Sequence, residues 1–312
     1  MSGSLVGDTS IVVLLGGFMA AAVRVASPLL LAALGETVSE RGGVLNLALE
    51  GSMLCGALAA ALGAKQGGPW IGLGAAILAG AFVALVLALI SVWLGADQVI
   101  TGTALTLAAI GVTGAVYRQV YGSGGVGLTV PTFPTKAVPL LHHIPILGPA
   151  FFAQPAPVYL SLLFIPLIWA VLFRSRWGLS LRACGESSSS AAAAGVRVRS
   201  MRAVGVIMSG AMGGLGGATL VLAQVGTFAE RMTAGRGFVA IAIVVLGRWN
   251  PLWVAAGALL FGVLSALQYL FQAKGIALPY QLFMMMPYLV TLLALAGSRG
   301  RAAAPAELGR AG

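Results

Sequence analysis

Acidic side chains are scarce in this chain: eight Asp and Glu stand against eighteen Lys and Arg in 312 residues, with only two His and two Cys. Charged residues total 8%, where soluble domains carry about 25%. So few charges cannot clothe a water-facing surface, and with 59% hydrophobic residues and a mean hydropathy of +0.99 the chain reads as an integral membrane protein. The paired His142 and His143 sit in a stretch without Cys, Asp or Glu. A zinc site needs three or four ligands, so no metal is expected. Cys55 falls in an expected helix and Cys184 in an arginine-rich loop, at different depths, whereas a disulfide needs Cα atoms within about 7 Å. Both are expected as free thiols. None of Lys65, Lys136 or Lys274 has the G-x-x-x-x-G-K-[ST] setting of a P-loop, so the chain holds no nucleotide motor. Gly122 to Gly127, GSGGVG, spells G-x-G-x-x-G, but no strand precedes it and no helix with an acid follows. It reads as a flexible turn. Membrane enzymes are disfavoured as well: there is no paired Asp-rich motif, and no His in an expected helix to serve a serine.

Long apolar runs are present instead, at 11–34, 47–64, 70–94, 98–116, 157–173, 203–226, 250–272 and 280–297. A spanning helix needs roughly 17 to 25 residues, so the runs predict an all-α, polytopic protein of eight to ten crossings. Gly237 to Gly247 is too short to span alone and reads as a half-helix, or as a crossing completed by the residues before it. Such interrupted segments mark transport pathways. Residues 1–10 form an N-terminal extension, 11–297 the membrane domain and 298–312 a tail expected to be disordered. The first apolar run is longer than a 7 to 15 residue signal core and lacks a cationic flank. A cleaved signal peptide is not expected.

The net charge of +10 is concentrated rather than spread as a basic face for nucleic acid. Arg174, Arg176, Arg182, Arg197, Arg199 and Arg202 crowd the loop 174–202, and Arg299, Arg301 and Arg310 the tail. Positive loops stay cytoplasmic, so both segments are expected inside, with an even number of crossings between them. The long Pro- and Gly-rich connection 117–156 then lies outside. Within the inner loop, Ser187 to Ala194 reads as a short helix closed by Gly195, with Glu186 at its dipole-positive start.

The stretch Gly35 to Gly51, GETVSERGGVLNLALEG, carries three of the eight acids inside an apolar region. Polar groups at membrane depth face a bundle interior or a watery cavity. Asn46, Glu50 and Met53 at i, i+4 and i+7 share one helix face, either contacting a ligand or clamping helices together, with Arg41 neutralising Glu40 or Glu50. Arg24, within the first run, is expected to pair with an acid of this stretch, ahead of snorkelling from a tilted helix. Glu230-Arg231 ahead of Gly235 and Gly237 echoes Glu40-Arg41, and suggests an internal repeat relating 30–120 to 220–297. A cluster of glycines at Gly210, Gly213, Gly214, Gly216 and Gly217 has G-x-x-x-G spacings for close helix packing. An ion-coupled secondary transporter, with Glu50 or Asp97 as its coupling site, is the competing class.

Blocks spread over most of the chain carry a resemblance: ERGGVLNLALEG at Glu40 to Gly51, DQVITG at Asp97 to Gly102, RWGLSLRACGE at Arg176 to Glu186, AAGVRV at Ala193 to Val198, TAGRGFVAIAIVVLGRWNP at Thr233 to Pro251 and PYQLFMMMPYLVTLLAL at Pro279 to Leu295. The chain resembles the permease subunit of ABC importers in the simple-sugar and nucleoside group. The resemblance implies a multi-pass protein of the bacterial inner membrane that binds no cofactor itself. ATP would be hydrolysed by a separate ATP-binding subunit, ligand delivered by an extracytoplasmic binding lipoprotein, and a second permease chain would complete a heterodimer rather than a homodimer. Nucleic acid is not among the implied partners. Arg176, Trp177, Gly178, Arg182, Gly185, Glu186 and Gly195 would belong to the loop coupling to the ATPase, and Glu40, Asn46, Glu50, Thr106 and Glu230 to the substrate pathway. A nucleoside is expected ahead of a simple sugar, with a branched-chain amino acid as the nearer rival. Two departures stand out: similar chains have Asn-Pro after Gly-Glu and an acid in the Ala run, where this one has Ser187, Ser188 and Ala192, and they tend to carry Asn where this one has Thr106.

Overall fold

A computed structural model describes residues 3–122, 129–139, 141–273 and 304–309, together with positions 285 and 289. The apolar runs become helices: α1 (Gly3–Arg41), α2 (Leu49–Gly67), α3 (Pro69–Leu87, continued by a π turn Ala88–Trp93) and α4 (Gln98–Tyr121). A two-stranded ribbon then pairs β1 (Thr135–Ala137) with β2 (Ala153–Pro155), with α5 (Leu147–Phe152) between them. Beyond it come α6 (Ala156–Arg174), α7 (Arg176–Glu186), α8 (Ser188–Ala193), α9 (Val198–Leu220, continued by a π turn Val221–Val225), α10 (Arg236–Leu246) and α11 (Pro251–Ala273). Six helices among the described residues are long and apolar enough to cross a membrane, and the nineteen-residue α2 is long enough by length. The run 280–297 lies largely outside the described residues, as do most of GSGGVG and the second half of the proposed repeat beyond 273.

The centre of the bundle is α9, 78% of whose apolar window is buried against 28–44% for the other five long helices. Its glycines explain the position. A Cβ on Gly214 would meet Ala76 O at 2.2 Å, one on Gly210 the Ala84 Cβ at 2.2 Å, and one on Gly217 the Met53 O at 1.9 Å. Backbones of α2, α3 and α9 therefore touch directly, as small-residue seams allow in lipid, where dispersion rather than hydrophobic exclusion holds helices together.

One end of the bundle carries the arginine-rich loop. The ribbon lies at the other, where Phe133 N donates to Leu222 O at 2.9 Å and Val130 N to Gly226 O at 3.0 Å. Gly16 of α1 lies against Pro149 and Ile146 at that same end.

Three expectations need correction. The first helix does not stop near residue 34 but runs on to Arg41, because Glu36, Thr37, Ser39 and Glu40 are buried against neighbouring helices rather than exposed to lipid. Arg24 pairs with no acid among the described residues: its Nε donates to Gln154 Oε1 at 3.3 Å, and Gln154 Nε2 reaches Ala20 O at 3.1 Å. The acids lie more than two turns further along the helix, beyond the guanidinium's reach. The tail is ordered in part. Residues 304–309 fold as a turn whose Glu307 N donates to Gly185 O at 2.9 Å, while the Glu307 carboxylate stands 3.6 Å from Arg202 Nη2. The nearly buried guanidinium supplies the reason: it attracts the only acid of the tail.

Cys55 and Cys184 are free thiols.

Candidate functional site

Two irregular segments interrupt the helices, residues 42–48 between α1 and α2 and residues 226–235 between α9 and α10. The first enters from the arginine-rich end. Gly43 turns with φ +89°, a conformation glycine takes without a Cβ penalty. Leu45 N then donates to Gln98 Oε1 at 2.9 Å, and Thr106 Oγ1 to Leu47 O at 3.0 Å. Thr106 lies eight residues beyond Gln98 on α4, which at 1.5 Å per residue is about 12 Å into the bundle. The segment thus climbs well into the apolar layer before α2 begins. Irregular backbone at such depth needs partners from its surroundings, and these two side chains supply them.

The second segment descends from the opposite end. There Arg118 and Glu230 form an exposed ion pair at 3.2 Å. Below it Thr233 Oγ1 donates to Glu50 Oε1 at 2.6 Å, Gly235 N to the same oxygen at 2.9 Å, and Gly237 N to Glu50 Oε2 at 2.6 Å. The eleven-residue α10, about 16 Å long, has no cap of its own, since Gly235 has no side chain. Glu50 serves as a cap from across the fold, its carboxyl oxygens accepting from two orphan N–H groups at the positive end of the helix dipole. Gly237 is required by this contact, because a Cβ there would sit 2.5 Å from Glu50 Cα and N. From here α10 returns to the arginine-rich end, where Trp249 Nε1 donates to Glu40 Oε2 and Arg41 Nε donates to Trp249 O at 2.9 Å.

A third polar knot lies beside the first segment. Glu36 accepts from Asn46 N at 2.8 Å and from Ser209 Oγ at 2.8 Å, and Asn46 Nδ2 donates to the same Ser209 Oγ at 3.0 Å. All three are buried. Asn46 is therefore not on the helix with Glu50 and Met53, as its spacing suggested. Glu36 takes its backbone N–H and holds it in the turn preceding α2, so Asn46 faces α9 while Glu50 faces α10. Asn46 Oδ1 remains buried without a hydrogen-bond partner.

Of the sequence-predicted pathway residues, Glu50 and Asn46 hold the two breaks, Thr106 ties α4 to the first, Glu40 anchors the far end of α10, and Glu230 is set apart at the opposite surface. None of them lines the four cavities described for the molecule. Ser209, Thr233, Trp249 and Gln98 carry the network equally and were missed as site residues. Thr233, Trp249 and Gln98 stood inside motif blocks, whereas a serine within a glycine-rich helix gives no signal.

The loop residues form a compact unit. Ser175 Oγ accepts from Gly178 N at 2.9 Å to start α7, and Ser187 Oγ accepts from Ser190 N at 3.3 Å to start α8. Both short helices of the loop are therefore capped by a serine hydroxyl. Gly178 and Gly185 pack where a Cβ would strike Val171 O at 2.1 Å and Arg41 O at 2.2 Å. Arg182 stacks 4.9 Å over the Phe173 ring. Arg176 opens α7 and Glu186 closes it, Trp177 packs against the main core, and Gly195 ends α8 at φ +83°. Cys184 is fully buried, which pushes its thiol pKa up, while the nearby Arg202 charge opposes the shift.

Residues 18–295 match the model of a family described as branched-chain amino acid transport system / permease component. The chain belongs to this family of transport permeases. Among individual proteins the permease is 36% identical over 307 residues to the guanosine ABC transporter permease protein NupQ of Bacillus subtilis, covering 95% of this chain and 96% of that one. It is 35% identical over 291 residues to the nucleoside ABC transporter permease protein NupC of Lactococcus lactis, covering 89% and 91%. It is also 42% identical over 267 residues to TsgC13 of Haloferax volcanii, provisionally named a glucose ABC transporter permease protein, covering 84% and 80%. No solved structure matches. The permease is a multi-pass integral membrane protein of the plasma membrane and a membrane subunit of an ABC importer.

Proposed function

We propose that this permease carries a nucleoside across the membrane, delivered by an extracytoplasmic binding protein and driven by ATP hydrolysed on separate subunits. The observation that carries the reading is the meeting of two broken segments at Glu50, reached from opposite ends of the bundle. Discontinuous helices with polar contacts at depth are the usual place for a substrate path. In this reading residues 174–202 lie in the cytoplasm and 117–156 outside. The groove of about 470 Å3 between α7 and α8, floored by Ala183, Ala191 and Val196 and rimmed by Ser180, Glu186 and Ser190, is where the ATPase subunit docks. Exposed apolar positions along α4, Val99, Ile100, Leu107 and Val112, offer a face for a second, non-identical permease chain. The relatives named for guanosine and nucleosides cover nearly the whole chain, and they put a nucleoside ahead of a branched-chain amino acid.

A sugar is the second reading, favoured by the relative named for glucose. Uptake of labelled nucleosides and sugars decides between them, in a strain lacking the chain and in the same strain with it restored, under ATP depletion and separately under uncoupler. Nucleoside uptake that returns with the chain and stops on ATP depletion supports the proposal. Return of sugar uptake alone would replace the substrate, and uptake that stops only with uncoupler would overturn the ABC mechanism in favour of ion coupling.

A further inference from the structure

At the arginine-rich end a cavity of about 310 Å3 opens between the π turn that closes α3, the start of α4, α8 and the first turns of α9. Its polar lining consists of Ser91, Gln98, Ser188, Ser189, Arg199 and Arg202, and no carboxylate is among its lining residues. Nothing in the transport reading uses it.

Two features single it out. The first is charge. Arg202 is 3% exposed, and its Nε and Nη2 donate to Gly42 O at 3.1 Å and Cys184 O at 3.2 Å. A guanidinium has five donors, and the two on Nη1 have no partner among the described residues. Arg199 adds a second guanidinium on the neighbouring turn of α9. Glu307, 3.6 Å from Nη2 and not among the lining residues, is the one acid paired with Arg202 among the described residues, so the pair of arginines keeps a positive surplus. The second is an unmet hydroxyl. Ser91 is 2% exposed, lines the cavity and has a buried Oγ without a hydrogen-bond partner. It sits in a π turn, an irregularity that often accompanies function.

We propose that this cavity binds a phosphate-bearing anion. Guanidinium forks match phosphate oxygens bidentately, and the hydroxyls of Ser188 and Ser189 supply further donors. Three peripheral oxygens can use such a set, whereas a carboxylate has only two. The volume admits a phosphate with a small organic body, so either a soluble phosphate or the headgroup of an anionic lipid meets the chemistry. Because the walls come from α8 on one side and from α3 and α4 on the other, a bound anion ties the short loop helix to the bundle.

The test uses the complete transporter in nanodiscs of zwitterionic lipid, with the unfolding midpoint followed by tryptophan fluorescence. Inorganic phosphate and glycerol 1-phosphate are titrated at constant ionic strength against chloride. A saturable rise with either phosphate, absent with chloride, is expected. Arg199→Gln, at an exposed position, should weaken it about tenfold, the loss of one charge-assisted contact. Ser189→Leu, which fills the mouth, should do the same, and Arg248→Gln elsewhere at this end should not. Equal shifts with chloride, or an unchanged response in both Arg199→Gln and Ser189→Leu, would overturn the proposal. Nanodiscs made with phosphatidylglycerol separate the sources. If they abolish the phosphate response in the wild type, the occupant is a lipid headgroup, and if the response persists, it is a soluble phosphate.

Discussion

Glu50 on α2 caps α10 across the fold, its Oε2 accepting from Gly237 N at 2.6 Å while Oε1 takes Thr233 Oγ1 and Gly235 N. Glu50→Gln keeps the shape but turns one acceptor into a donor that faces N–H groups, and each buried bond lost costs about 1–3 kcal/mol. The variant is expected to reach the membrane at normal abundance with impaired uptake. Thr233→Val, which removes a donor from the same carboxylate, should impair uptake in the same direction. Normal transport by both, at equal abundance, would show that the cap is dispensable.

Gly237→Ala and Gly235→Ala should differ although the positions are two apart. At Gly237 a Cβ would fall 2.5 Å from the Glu50 backbone, and at Gly235 there is open space but φ is +82°. Overpacking predicts a loss towards the upper end of about 1–3 kcal/mol for the first, since the contact is with backbone, and left-handed strain about 1–2 kcal/mol for the second. Thermal unfolding of the two purified variants in one detergent provides the comparison. Equal midpoints would contradict the close contact.

Ser209→Ala removes a donor from Glu36 and an acceptor from Asn46 at once. Two buried partners are left wanting, so a destabilisation of about 2–4 kcal/mol is expected. In a double-mutant cycle with Asn46→Ala the costs should fall well short of additive. Additive costs would mean that the two residues do not share a network.

How much of this was legible beforehand depended on the kind of signal. Apolar runs located α3, α4, α6, α9 and α11 to within a few residues, because a helix must satisfy its own backbone in lipid. The glycines of α9 announced close packing, and Ser187 to Ala194 read as a short helix, but the serine caps of α7 and α8 were not foreseen. Asn46 was misplaced for a physical reason: periodicity assumes a continuous helix, and nothing local to residues 42–48 reveals that Glu36, ten residues earlier, holds the chain in a turn. Glu50 was singled out as costly at depth, yet its partners lie more than 180 residues away. Only the TAGRG block hinted at them.

Cys184 offers a pH-dependent reading. Burial raises its thiol pKa, with Arg202 opposing, and only the thiolate is nucleophilic. In a Cys55→Ala background, iodoacetamide labelling at pH 7 should be far slower than for a free cysteine and should rise with pH. The raised folded pKa means that the folded state holds this proton more firmly than the unfolded chain. The stability it contributes is fully present below the unfolded pKa, near 8.5, and is lost as pH climbs towards the folded value. Labelling as rapid as that of a free thiol at neutral pH would contradict the burial.

Removal of residues 304–312 should expose Gly185 O and leave Arg202 without its acid. Hydrogen exchange at the C-terminal turn of α7 is expected to accelerate, with Glu307→Gln giving a smaller change because its backbone N–H bond survives. Identical exchange in all three proteins would mean that the tail is not docked in solution.

The docked turn at 304–309 and the contact of Gly16 with Pro149 also bear on sidedness. One lies at the arginine-rich end and the other at the ribbon end. Reporter domains fused ahead of α1 and after the tail would therefore find themselves in different compartments.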